Sequence, residues 1–225
     1  MQRVAVVEGL FAGGTGCLDP EGQRSGIFKQ RVVDPVRVET QGIVGDVQAD
    51  RRVHGGPEKA VHQYAAQHYA RLGSAFPEAA RELVPGSLGE NISNAEQTEC
   101  NVHIGDIVRA GSAILQVSQP RSPCWKINHR FDTERMSMYI AQERITGWYY
   151  RVLASGVIQA GDSITLLERQ TTRFSVDAFW RVQLACQPNV EDLIELSEVA
   201  GLAPDWKRRL AERARWLQAR VEQGT

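Results

Sequence analysis

The chain has no long apolar run, no closely spaced cysteines and almost no net charge, and each absence removes a class of function. Its N-terminal stretch, M-Q-R-V-A-V-V-E-G-L-F-A-G-G, is interrupted by Glu8 and is too short for a signal peptide or a membrane span. No other run approaches spanning length, so the sequence reads as that of a cytosolic protein. Twenty-six Lys and Arg against 27 Asp and Glu leave a formal charge of −1, which gives no electrostatic footprint for nucleic acid or a membrane surface. The four cysteines, Cys17, Cys100, Cys124 and Cys186, form no C-x-x-C pair, which argues against a disulfide framework and a zinc ribbon. No flavin, haem or iron–sulfur signature is visible. The 225 residues suit one large domain with a filled core, or a main domain with a small appendage.

What is present centres on Gln116 to Asn128, Q-V-S-Q-P-R-S-P-C-W-K-I-N. Ala113 to Ser118 alternates as a strand does and runs into a loop stiffened by Pro120 and Pro123, which ends on Cys124 between Arg121 and Lys126. Cationic neighbours favour the thiolate, the form that acts as nucleophile and metal ligand. A buried structural cysteine is the competing interpretation. The other three cysteines lack such a flanking cation pair and read as structural or incidental.

Along the rest of the chain, Arg3 to Val7 reads as a strand and Ser25 to Val38 as irregular strand, with Lys29 and Arg31 projecting and Pro35 breaking the ladder. Short strands with Gly and Pro turns suggest a barrel or sandwich. Pro57 suits a helix start, and Val61, Tyr64, Ala65, His68 and Leu72 recur at helical spacing, so a helix is predicted from Pro57 to about Leu72. Gly55 and Gly56 would sit at its mouth with Arg51, Arg52 and His54 upstream, an anion site if the helix dipole is there and a simple chain turn if it is not. Phe76 to Leu83 suggests a short helix. Pro85 to Asn94 reads as a loop whose polar pair, Glu90 and Asn91, also suits turn positions. A helix is expected within Asp132 to Ile145, and strands over Val102 to Arg109, Trp148 to Leu153 and Ser163 to Leu167. Beyond about Arg169 the chain turns helical, over Val176 to Leu184, Val190 to Val199 and Pro204 to Val221, which suggests a small three-helix domain at 169–225 after a main domain at 1–168.

Four motifs taken together resemble the MOSC domain proteins, the molybdenum cofactor sulfurase C-terminal family, and within them the YiiM-like branch. They are G-D-V-Q-A-D-R-R-V-H-G-G-P-E-K-A-V-H-Q-Y from Gly45, L-G-E-N-I from Leu88, I-G-D from Ile104 and S-Q-P-R-S-P-C-W-K-I-N from Ser118. The resemblance covers nearly the whole chain and implies an α+β fold with a β-rich, barrel-like core. It also implies a molybdenum cofactor (molybdopterin), Cys124 as the metal ligand, and reduction of N-hydroxylated substrates such as hydroxylaminopurine bases and amidoximes, with electrons from a separate redox protein. Under that implication Arg121 and Lys126 would stabilise negative charge beside Cys124. Lys29, Arg51, Arg52, His54, Gly55 and Gly56 would serve the pterin phosphate, and Glu90, Asn91 and Asn128 the pterin or substrate. His54, His62 or Glu90 would supply a proton, although for His62 a packed structural role is the stronger expectation. A carrier of the cofactor or of a persulfide on Cys124 would use the same thiolate environment, and a metal-free binding module is a third alternative. A homodimer through apolar surface is the assembly expected of a cytosolic enzyme.

Overall fold

The alternating segment at Ala113 marks the middle of the molecule. The computed structural model describes residues 2–18, 22–49 and 55–223. In chain order the strands are β1 (Gln2–Val6), β2 (Gly9–Ala12), β3 (Gly16–Leu18), β4 (Gln23–Ser25), β5 (Gln30–Arg31), β6 (Val36–Glu39), β7 (Gly42–Ile43), β8 (Val61–Ala65), β9 (Ile92–Asn94), β10 (Ile107–Ala110), β11 (Ala113–Pro120), β12 (Trp148–Ala154), β13 (Gly156–Ile158) and β14 (Ser163–Glu168). The helices are α1 (His68–Ala75), α2 (Lys126–Arg130), α3 (Met136–Gln142), α4 (Val176–Leu184), α5 (Val190–Glu198) and α6 (Pro204–Gln223). Nine strands form one mixed sheet in the order β1-β14-β10-β11-β12-β8-β9-β2-β5, with β8 and β9 parallel and the other neighbours antiparallel. A smaller sheet, β13-β6-β7, and the hairpin β3-β4 complete the β structure.

The expected barrel-like core is corrected by this topology. Among the described residues β1 and β5 end the sheet without pairing to each other, so it stays open. Short strands and Gly or Pro turns specify strand content, whereas closure needs a continuous stagger around the ring. A second correction concerns Pro57 to Leu72. Pro57–Lys59 forms a single 3-10 turn, Val61–Ala65 is strand β8, and the α-helix α1 begins only at His68, so the helix holds just the last five residues of the expected span. All five residues of β8 are buried, so it lacks the alternation of a half-exposed strand, and its apolar residues fell on helical spacing. The segment from Phe76 to Leu83 holds only the 3-10 turn Pro77–Ala79, and the helix expected within Asp132 to Ile145 is confined to α3.

The three C-terminal helices form where the sequence places them. Ser175 Oγ accepts from the Ala178 amide at 3.1 Å to start α4, and Asn189 Oδ1 accepts from the Glu191 amide at 2.7 Å to start α5. Their apolar faces do not make a separate core. Phe179, Trp180, Leu193, Leu196, Trp206 and Leu210 belong to the same buried cluster as Val108, Leu115, Val117 and Tyr150 of the sheet. A second cluster packs α1, α2 and α3 together through Leu72, Ile127, Phe131, Met136 and Ile140, with Tyr64 from β8 and Leu88. This second core backs the loop that carries Cys124.

Candidate functional site

Strand β11 lies between β10 and β12, and the chain leaves the sheet after Pro120. The Arg121 amide then donates to the Gly147 carbonyl at 3.0 Å, and the Cys124 carbonyl accepts from the Ile127 amide at 3.1 Å to open α2. Ile127 is fully buried and anchors α2. The thiol is therefore carried on a turn fastened at one end to the sheet and at the other to the second core. Cys124 is the half-buried cysteine; Cys17, Cys100 and Cys186 are exposed.

An open cleft of about 630 Å³ lies beside this turn, lined by Cys124, Arg121 and Lys126 on one side and by Ser25, Gly26, Ile27 and Lys29 on another. Asp46, Val47, Gln48 and Ala49 extend a wall, while Lys59, His62, Leu88, Gly89, Asn91 and Tyr149 complete the lining. Among the described residues four cations and one carboxylate line it, in a chain whose net charge is −1. Such an excess selects for anions.

The side chains are fixed by a dense set of bonds. Asn91, just before β9, donates through Nδ2 to the Phe11 carbonyl (3.1 Å) and to Asp46 Oδ2 (3.0 Å), and its Oδ1 accepts from the His62 amide (3.0 Å). Asp46 Oδ1 accepts from the Gly13 amide (2.9 Å), and both its oxygens contact Lys29 Nζ. Lys126 Nζ donates to the Arg24 carbonyl (3.1 Å), which ties α2 to the β3-β4 hairpin. Arg121 is buried, with Nη2 donating to the Leu88 carbonyl at 3.4 Å, while Nη1 is buried without a hydrogen-bond partner. His62 Nε2 is likewise buried and unpartnered. Buried polar groups are nearly always paired, so a guanidinium nitrogen without a partner beside a cleft invites an acceptor from outside.

Burial dominates the titration of these groups. It pushes the Lys29 ammonium below the usual lysine range against the opposing pull of Asp46 and Glu90, and it lowers Lys59. Burial, and then the Arg121 charge, hold His62 well below the ordinary histidine value, so it is a neutral imidazole at pH 7. Burial raises the Tyr149 phenol, with Arg121 and Cys124 both near enough to act on it.

Of the residues singled out in the sequence, Cys124, Arg121, Lys126, Lys29 and Asn91 come together around the cleft. Glu90 is fully buried behind it, its Oε1 accepting from the Tyr69 hydroxyl and the Gly86 amide, both at 2.6 Å. Asn128 lies outside the lining: its Oδ1 accepts from the Ser137 amide at 2.8 Å and its Nδ2 donates to the Glu134 carbonyl at 2.9 Å, a link between α2 and α3. Gly55 and Gly56 line a different groove beside the start of α6, and the 3-10 turn after them is too short to supply a helix dipole. Arg51, Arg52 and His54 lie outside the described residues. Asp46, Lys59, Ser25 and Tyr149 were not singled out. Asp46 and Lys59 stand inside the long motif from Gly45 to Tyr64, the one signal that could have raised them. Among the described residues no cluster of three or more His, Cys, Asp or Glu could hold a metal by itself, and no helix is long and apolar enough to cross a membrane.

Residues 50–165 match the MOSC domain family. Protein YiiM of Escherichia coli (strain K12) is 36% identical over 206 residues, which cover 90% of this chain and 89% of that one. A protein of Gibberella moniliformis (strain M3125 / FGSC 7600) named Reductase is 38% identical over 176 residues, covering 78% of this chain but only 31% of its own length. The crystal structure of YiiM from Escherichia coli superposes with a TM-score of 0.75 at 32% identity, covering 82% of this chain and 87% of that one.

Proposed function

Because this chain belongs to the MOSC domain family, we propose that it is a molybdenum cofactor-dependent reductase of N-hydroxylated compounds in which Cys124 ligates the metal. The observation that carries the proposal is the cleft itself: a half-buried thiol on a doubly fastened turn, inside a wall with a marked excess of cations and an unpartnered buried guanidinium nitrogen. A soft thiolate suits a metal already held by sulfur ligands, and a pterin phosphate needs cationic partners. The residues present fit such a group. The relative named Reductase points to the same broad chemistry.

When bound, the cofactor supplies a two-electron reduction in which R–NHOH, two electrons and two protons give R–NH2 and water. The electrons come from a separate redox protein. The chain's own residues do the rest. Cys124 offers its sulfur, and Arg121 and Lys126 stand beside it as positive charge. Lys29, which the sequence reading already assigned to the phosphate, and Lys59 supply cations further along the cleft for it. Neutral His62 offers hydrogen bonds rather than a stored proton. Asn91 braces the floor by tying β2, β8 and Asp46 together.

The experiment compares wild type and Cys124→Ser purified from a host that makes the cofactor. Molybdenum content is measured, with reduction of a hydroxylaminopurine by an artificial electron donor. The wild type is expected to hold molybdenum near one per chain and to turn over, and the variant to lose both while keeping its thermal transition. Full molybdenum and activity in the variant would overturn the ligand assignment. Cofactor without turnover in the wild type would favour a carrier.

A further inference from the structure

Lys29 stands on the segment between β4 and β5 with its side chain only 5% exposed, and Asp46, equally buried, is the one carboxylate that lines the cleft among the described residues. Three segments converge on that carboxylate. The Gly13 amide, the Lys29 ammonium and the Asn91 amide nitrogen all donate to it. We propose that Asp46 is the positioning residue that holds Lys29 in the cleft wall as a charged ammonium, ready for the anionic part of a ligand. The inference rests on reading the cleft as the cofactor site, and it assigns to Asp46 a role that family membership does not supply.

The physical argument is a competition between burial and pairing. An isolated ammonium taken out of water neutralises rather than stay charged. Burial does push Lys29 down, and Asp46 is the largest influence acting against it. Among the described residues, Glu90 also favours the charge, and the neighbouring His62 is neutral. Simple charge counting gives the opposite expectation for a substitution. Removing a carboxylate would make the cleft more positive and tighten the hold on an anion. If Asp46 instead maintains Lys29, its removal costs the cleft both the charge and the placement of that lysine, and anion retention falls.

Two measurements decide between these outcomes. In protein free of cofactor, with lysine labelled with 13C at the ε carbon, the Lys29 signal is assigned by its loss in Lys29→Met and its titration midpoint is read by NMR. Asp46→Asn is expected to lower that midpoint by about one pH unit or more, while Asp46→Glu, which keeps the carboxylate, stays near the wild type. An unchanged midpoint in Asp46→Asn, or an equal fall in both variants, would overturn the assignment. In protein from a cofactor-competent host, Asp46→Asn should retain roughly tenfold less molybdenum and pterin than wild type at a pH above the Lys29 midpoint measured for that variant, and recover toward wild type at a pH below it. Tighter retention at both pH values would favour charge counting and overturn the proposal. Absence of molybdenum from the wild type would defeat the cofactor reading and leave the lysine titration to decide Asp46.

Discussion

Gly147 is a position at which a single methyl group should disturb both stability and the site. Its backbone is left-handed, with φ +74°, and an added Cβ would lie 2.5 Å from the Gln63 carbonyl oxygen, 3.0 Å from His62 Nε2 and 3.0 Å from Tyr64 Cδ2. The same residue accepts from the Arg121 amide and donates at 2.7 Å to Glu99 Oε1, whose partner oxygen meets His68 at 2.6 Å. Left-handed backbone costs a residue with a Cβ about 1–2 kcal/mol, and overpacking a filled interior costs about 1–3 kcal/mol more. Gly147→Ala should therefore lose about 2–5 kcal/mol. Gly161 provides the control: its φ is +93°, but nothing lies within 4 Å of the Cβ position, so Gly161→Ala carries only the backbone cost. At about 2–4 °C per kcal/mol for a chain of this length, the packing difference alone separates the two variants by roughly 2–12 °C. Differential scanning calorimetry on both proteins reads it. Equal decreases in Tm would show that the interior beside His62 accommodates a methyl group, and would refute the view that this corner is rigid enough to hold Arg121 in place.

Two further outcomes are expected. Burial raises the Glu90 carboxyl above its ordinary value of 4.5, so its contribution to stability is complete below about pH 4.5 and is lost as pH rises through the raised folded value. Glu90→Gln keeps the oxygen that accepts from Tyr69 and Gly86, so its Tm should gain on the wild type as pH rises above about 4.5 and level off above the raised folded value; a constant offset would mean that the carboxyl does not titrate on unfolding. Phe179 is fully buried, edge-to-face with Trp180 and Trp206, in the cluster shared by the sheet and the C-terminal helices. Phe179→Ala should cost about 3–5 kcal/mol and shift one cooperative transition in chemical denaturation, whereas two separated transitions would show that the helices unfold on their own.

What could be read from the sequence follows from how local each signal is. The strand entering the Cys124 turn, β12, β14 and the three terminal helices carry their own periodicity and caps, and they form at or near the expected residues. Strand β8 was misread because it is buried on both faces, which leaves no alternation to distinguish it from a helix. The site divides in the same way. Cys124 with its two cations is a contiguous pattern and was legible. Asp46 was not, because it meets Lys29 across 17 residues and Asn91 across 45, and nothing in the local sequence of any of the three announces the other two. The link that Asn128 makes between two helices was not legible for a related reason: an asparagine near a reactive loop looks the same whether it faces a ligand or fastens two helices.

The two sides of the cleft are fastened very differently. Cys124 follows an eight-residue strand paired on both sides within the sheet, while Lys29 precedes β5, a two-residue strand held to β2 by the pairs Phe11–Arg31 and Ala12–Gln30 at the sheet's edge. Free energies of local opening follow such differences, being small at sparsely bonded edges and approaching the global value in central strands. The cleft thus has a fixed jaw bearing the sulfur and a compliant jaw bearing the buried ammonium. A ligand seated across both jaws would stabilise the weaker one, so loading would stiffen the edge of the sheet through mass action.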